Sequence, residues 1–295
     1  MIGSILGGAF RLVARRPGSV AIWAILYLAG IFVIGLLRVL MTPAGATGAD
    51  ATFGGFLAAI VTQVLMIGLV AILLTAVCRA TLHPYKIGTF YLRLGGNEFR
   101  VFALLLMLAI ASAVAMFLLG LFSHLILWGI SAAAGGPEAM GPWPPVMLGL
   151  LILAAIILVQ VRLSIALPLT YLYEQITVDE AWTLSRGHFW SLFGAFLAIS
   201  LLLLLGWIAV MLIFFMPVVE TVFQSDLTPQ ALIDAMMMFL VQAMNLPIGA
   251  QLIVIALVLI LTALGFVLVT ATLASAAREL LGLKEGQLPD LSRRG

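Results

Sequence analysis

Six stretches of this chain carry charges only at their ends and are long enough to cross the hydrocarbon core of a bilayer, which takes about 20 residues of helix. In lipid every backbone N–H and C=O must be paired within the segment or its neighbours, so such stretches are expected to be helices. The composition agrees: 64% of the residues are hydrophobic and 9% are charged, against about 25% charged in soluble domains. The fold class expected is therefore all-α, a polytopic membrane protein of about six transmembrane helices. One transmembrane domain over residues 1–283 and a polar C-terminal tail over 284–295 make up its domains. The formal net charge of +2 is too small, and the basic residues too scattered, to suggest nucleic acid. Cys78 is the single cysteine, so no intrachain disulfide is expected.

Residues 3–16 place Ile5, Phe10, Leu12 and Val13 among small residues, with Arg11, Arg15 and Arg16 towards the end. This reads as a basic amphipathic helix at a membrane surface. Pro17 and Gly18 break it and argue against a twin-arginine export signal; the apolar run that follows is longer than a signal core and is expected to be a retained first span. Spans are expected at residues 19–41, 53–78, 99–134, 146–162 with a continuation past Pro168 to Tyr173, 189–219, and from after Pro247 to Leu281. The third is roughly 54 Å long at 1.5 Å per residue, which predicts a break at Gly120 or Ser123–His124. Thr228 as N-cap and Pro229 at the first helical position predict a short helix on the outer face, up to Met244.

Placing both termini and the two even-to-odd connectors on one side collects all of the 14 Lys and Arg residues there except Arg38. By the positive-inside rule that side is cytoplasmic, with both termini on it, and the chain is expected to cross the membrane an even number of times.

The cytoplasmic segments also repeat. Each has an aromatic-x-Leu (Phe10 and Leu12, Phe90 and Leu92, Trp182 and Leu184), then a breaker (Pro17, Gly95, Gly187), then an outgoing span. The returning spans end in Arg79, Arg162 and Arg278. Three hairpins, around a pseudo-threefold axis or in a row, are expected, with the aromatic at the interface and the arginine reaching the phosphates.

Residues 162–190, RLSIALPLTYLYEQITVDEAWTLSRGHFW, set Arg162, Ala166, Pro168, Glu174, Ala181, Trp182, Ser185, Gly187 and Trp190 in a pattern. It resembles a motif of bacterial integral membrane proteins related to the membrane domain of glycerophosphoryl diester phosphodiesterases and to YciC-type inner-membrane proteins. In such phosphodiesterases the hydrolytic site belongs to a separate soluble barrel domain. The resemblance thus implies a fold and a location in a bacterial inner membrane, and it carries no enzyme activity across.

Ionisable and strongly polar groups within spans are functional candidates. Arg162, with Gln160, lies about 16 residues into its span, or ~24 Å from the outer end. It is read as an interfacial anchor, a phosphate or lipid-headgroup ligand, or a partner of Glu174 or Glu180. Arg79, Arg278, Arg186 and Trp182 join it as headgroup candidates. Arg38 has Asp50 and Glu220 as same-side partners, and His124 lies in the outer part of the third span.

No metal site is expected, because His83, His124 and His188 lack short-spaced partners. Asp179, Ser185 and His188 have helix-compatible spacing but no strained nucleophile turn. No phosphate-binding loop or dinucleotide fingerprint occurs, and no cofactor is expected. The run Met236–Met238 reads as an adaptable apolar face. The leading expectation is a non-enzymatic membrane protein binding anionic phospholipid, in lipid handling, transport or envelope maintenance. The alternatives are a transporter with a polar path near Gln63, Gln160, Arg162 and His124, and a scaffold for a protein partner in the membrane.

Overall fold

A computed structural model describes residues 1–42, 49–82, 91–92, 95–136, 141, 143–224 and 229–283. Among these residues there are eleven α-helices and no strand. The first, α1 (Ile2–Arg15), buries Ile5, Gly8, Ala9 and Leu12, the i, i+3, i+4, i+7 stripe of an amphipathic helix. Arg16 leaves the helical region, Pro17 restarts it, and α2 (Pro17–Met41) is the first span. The second is α3 (Ala49–Leu82) and the third is α4 (Gly96–Ala134), closed by Gly135 in the left-handed conformation at φ 92°.

α4 is continuous over 39 residues, so the expected break at Gly120 or Ser123–His124 does not occur. A glycine costs a helix only about 1 kcal/mol, and the Ser123 hydroxyl donates to the Leu119 carbonyl at 2.5 Å without leaving the helix.

The fourth span is in two pieces, α5 (Trp143–Leu163) and α6 (Ala166–Tyr173). The break at Ser164–Ile165 lies four residues before Pro168, whose ring has no N–H to offer and crowds the carbonyl of Ser164. After the short helix α7 (Val178–Leu184) and Gly187 at φ 82°, the fifth span is α8 (Phe189–Phe214). It ends before the expected Val219: Pro217 stops the ladder at Phe215, and a separate helix α9 (Met216–Gln224) follows. α10 (Pro229–Asn245) packs on α9 around Phe215, Val218 and Ala235, with the Phe215 and Phe239 rings 4.5 Å apart. Thr228, its expected cap, lies outside the described residues. The last span is α11 (Ile248–Leu280).

The six spans close into a ring rather than a row. α2 touches α3, α3 touches α4, α4 touches α5 and α6, α5 touches α8, α8 touches α11, and α11 returns to α2. The returning spans form an inner triangle, because α3, α6 and α11 also contact one another across the ring. Small residues allow this: Ala263, Gly265 and the run Thr270 to Ala277 of α11 are all buried, facing Leu73 to Cys78 of α3 and Ala166 to Leu172 of α6. Close backbone approach through small residues is how membrane helices gain dispersion contacts that lipid cannot supply. α1 closes the ring at this end, packing on α11, α8 and α3. Ile5 is fully buried with Val161, Ile165, Leu192 and Ala276. At the opposite end the helices present large apolar side chains outward, among them Phe117, Phe122 and Trp128 of α4 and Leu150 and Leu151 of α5.

Candidate functional site

The three span-end arginines lie at the packed end, each at a junction with the surface segment that follows. At the first, Arg79 donates to the Tyr91 carbonyl at 2.5 Å and forms an ion pair with Glu98 in the first turn of α4. Its guanidinium also lies 5.9 Å from the centre of the Tyr171 ring. Glu98 is 5% exposed, while Arg79 is partly buried, so the pair lies at the edge of the packed interior. Tyr91 is held at φ 62°, and its ring takes the Arg16 guanidinium at 4.9 Å. One residue thereby joins the start of α2 to the end of α3.

At the second junction Arg162 lies over the Trp182 ring of α7, 4.7 Å from its centre. A cation over an indole face contributes about 0.5–2 kcal/mol, more as water is excluded. The Arg162 Nε is buried without a hydrogen-bond acceptor. The pairing of Arg162 with Glu174 is not formed; Glu174 instead lies 3.9 Å from Arg100, both side chains well exposed.

The third junction closes the ring. Arg278 leaves α11 and reaches over Gly8 of α1, where a Cβ would stand 3.4 Å from its terminal nitrogen and would collide with the Ser275 hydroxyl. Here Arg278 meets Arg11, Arg15 and Arg16 around one cavity of about 70 Å³, completed by Gly8, Leu12, Ala80 and Thr81. None of these lining residues is acidic. At ~30 Å³ per water, the space holds about two waters or one group of phosphate size.

The arginines singled out in the sequence therefore do not converge on one site. Arg79 is engaged by an acid, Arg162 by an aromatic ring, and Arg278 lines a cavity beside the basic end of α1. Arg186 is exposed beyond the end of α7. Arg38, exposed near the outer end of α2, forms no ion pair with Glu220, and the Asp50 side chain lies outside the described residues. His124 is exposed on the outer half of α4, while Gln63 and Gln160 face one cavity further in; the polar path expected to include all of them is not assembled.

Two features were missed in the sequence. In the sequence Arg11, Arg15 and Arg16 read only as the basic end of a surface helix; their meeting with Arg278 depends on the contact of α1 with α11, which no local pattern encodes. Glu98 was also missed, an acid in the first turn of a membrane helix that requires a partner. Ser185 is buried with its hydroxyl donating to the Trp182 carbonyl at 3.0 Å, so it is not poised against exposed His188. Among the described residues no three His, Cys, Asp or Glu side chains come together in a metal-binding arrangement; His83 lies outside them.

The fold defines an all-α, multi-pass membrane protein with six spans. Compared with known proteins, the chain matches no family model, no curated protein and no solved structure.

Proposed function

We propose that this is a non-enzymatic lipid-binding protein of a bacterial inner membrane, which holds the phosphate of an anionic phospholipid at the pocket of Arg11, Arg15, Arg16 and Arg278. The observation that carries the reading is the presence of four guanidinium groups around one phosphate-sized cavity. A phosphate in this cavity would accept charge-assisted, often bidentate hydrogen bonds from the guanidinium groups around it. Basic-residue asymmetry supports a cytoplasmic side for this end, where anionic lipid attracts each surface Lys or Arg by about 1 kcal/mol. The likeness of residues 162–190 to the phosphodiesterase membrane domain and YciC-type proteins fits a membrane role without hydrolysis. A protein partner in the bilayer remains compatible with the exposed faces of α4 and α10.

Thermal unfolding in neutral detergent tests the reading. Dihexanoylphosphatidylglycerol is expected to raise the midpoint, by about 2.7 kcal/mol of added stability at a hundredfold excess over the dissociation constant. Dihexanoylphosphatidylcholine, whose choline repels the arginines, is expected to do less. Arg278→Gln combined with Arg11→Gln should abolish the shift, Arg15→Gln should weaken it, and Arg186→Gln should leave it intact. An equal shift from inorganic phosphate would make the pocket a soluble-anion site. An equal shift in all the variants would remove the pocket from consideration.

A further inference from the structure

The break at Ser164–Ile165 has a second effect. It lets α6 pack into the inner triangle while α5 stands away from α3 and α11. The space left behind α5 is divided into two cavities. One, of about 670 Å³, lies between α3, α4 and α5. The other, of about 370 Å³, lies between α5, α8 and α11. Gln160 and Ser164 line both, so the inner edge of α5 is their common wall. The larger volume is within the range of small-molecule sites, about 300–1,000 Å³.

Both walls are mostly apolar, and the polar groups on them are uncharged. Gln63 of α3 and Ser112 of α4 face the larger cavity, and Ser200 of α8 faces the smaller. The Ser112 and Ser164 hydroxyls donate to carbonyls of their own helices, at 2.9 Å to Ala109 and 2.7 Å to Val161, keeping lone pairs free. The Gln63 and Gln160 carboxamides make no hydrogen bond with any described residue. Both side chains are exposed at the surface of the protein; set against hydrocarbon, a carboxamide without a partner costs about 2–7 kcal/mol, so each favours an occupant that can pair with it.

We propose that these cavities form a binding site for a neutral, hydroxyl- or ester-bearing lipid of the diacylglycerol class, entering sideways from the bilayer beside α5. The carboxamides supply both a donor and an acceptor, which matches a hydroxyl and an ester carbonyl. No charged side chain lines either cavity. An ionised headgroup would therefore have no counter-charge at this depth, and a plain hydrocarbon would leave both amides unsatisfied. The glycerol neck sits at Gln63 and Gln160, and the chains leave through the side openings into lipid. No arginine is involved, so this inference stands independently of the pocket at the packed end.

Native mass spectrometry from phosphatidylcholine discs doped with dioleoylglycerol tests it. Wild type is expected to keep one dioleoylglycerol through detergent washing, and Gln63→Leu/Gln160→Leu to lose affinity by about tenfold or more, equivalent to about 1.4 kcal/mol. Leucine suits a membrane helix, so the double variant should unfold no earlier than wild type, which separates lost binding from lost folding. Equal retention by both proteins, or retention by neither, overturns the proposal. So does rapid labelling of Gln160→Cys by a membrane-impermeant maleimide in lipid discs, which would show an aqueous path for polar solutes; the native Cys78 is fully buried and does not compete.

Discussion

The two ends of this molecule are built on opposite principles. At the arginine end α3, α6 and α11 meet through small side chains, α1 closes over them, and Arg79 is paired with Glu98 at the edge of the packed interior. At the other end α4 and α5 expose Phe, Leu, Ile and Trp along much of their length, and α5 has left the triangle. In lipid an exposed leucine costs nothing, so helices without small-residue seams have no reason to close up. The ring is therefore held from one end, and the proposed lipid site draws on its less tightly packed half. Charge follows the same division: the four-arginine pocket is at the packed end, and uncharged amides line the open cavities.

Perturbations graded by size would break or sharpen this contrast. The largest effect is expected from Glu98→Ala, which leaves the partly buried Arg79 guanidinium without its counter-charge and should lower stability by about 1–3 kcal/mol. Equilibrium unfolding in mixed micelles measures it, and a loss too small to detect would mean that the packed end is not held by this pair. Next is Gly8→Leu. The new side chain has no room against Ser275 and Arg278, and overpacking of this kind costs about 1–3 kcal/mol. Hydrogen exchange should show α1 lifting off while α4 is unchanged.

Smaller again is Trp182→Ala, which removes the ring beneath Arg162 and should cost about 0.5–2 kcal/mol. Trp182→Phe should restore part of it. The smallest is Phe117→Ala, 72% exposed on α4. Its effect on stability should stay within about 0.5 kcal/mol, and a loss as large as that of Glu98→Ala would mean that the open half is covered by a partner.

Much of the fold was legible because membrane helices announce themselves through apolar length. The six spans, the α1 stripe and the Pro17 and Pro247 starts follow from local chemistry. The continuous α4 and the stop before Pro217 did not, because a glycine or serine is tolerated within a long apolar helix while a proline reorganises the turn before it. The site was less legible. Arg278 could be placed at a membrane face from sequence, but its neighbours Arg11, Arg15 and Arg16 come from the other end of the chain, and only ring closure brings them together. Gln63 and Gln160 were visible as polar residues in apolar runs. Their convergence depends on the outward set of α5, which no periodicity encodes.

The most direct test of the whole account is a crossed lipid-retention measurement by native mass spectrometry, from discs containing both phosphatidylglycerol and dioleoylglycerol. Arg11→Gln/Arg278→Gln should lose bound phosphatidylglycerol and keep dioleoylglycerol, while Gln63→Leu/Gln160→Leu should do the reverse. If each pair loses both lipids, or neither loses any, the two ends do not hold separate sites and the division of labour drawn between them is wrong.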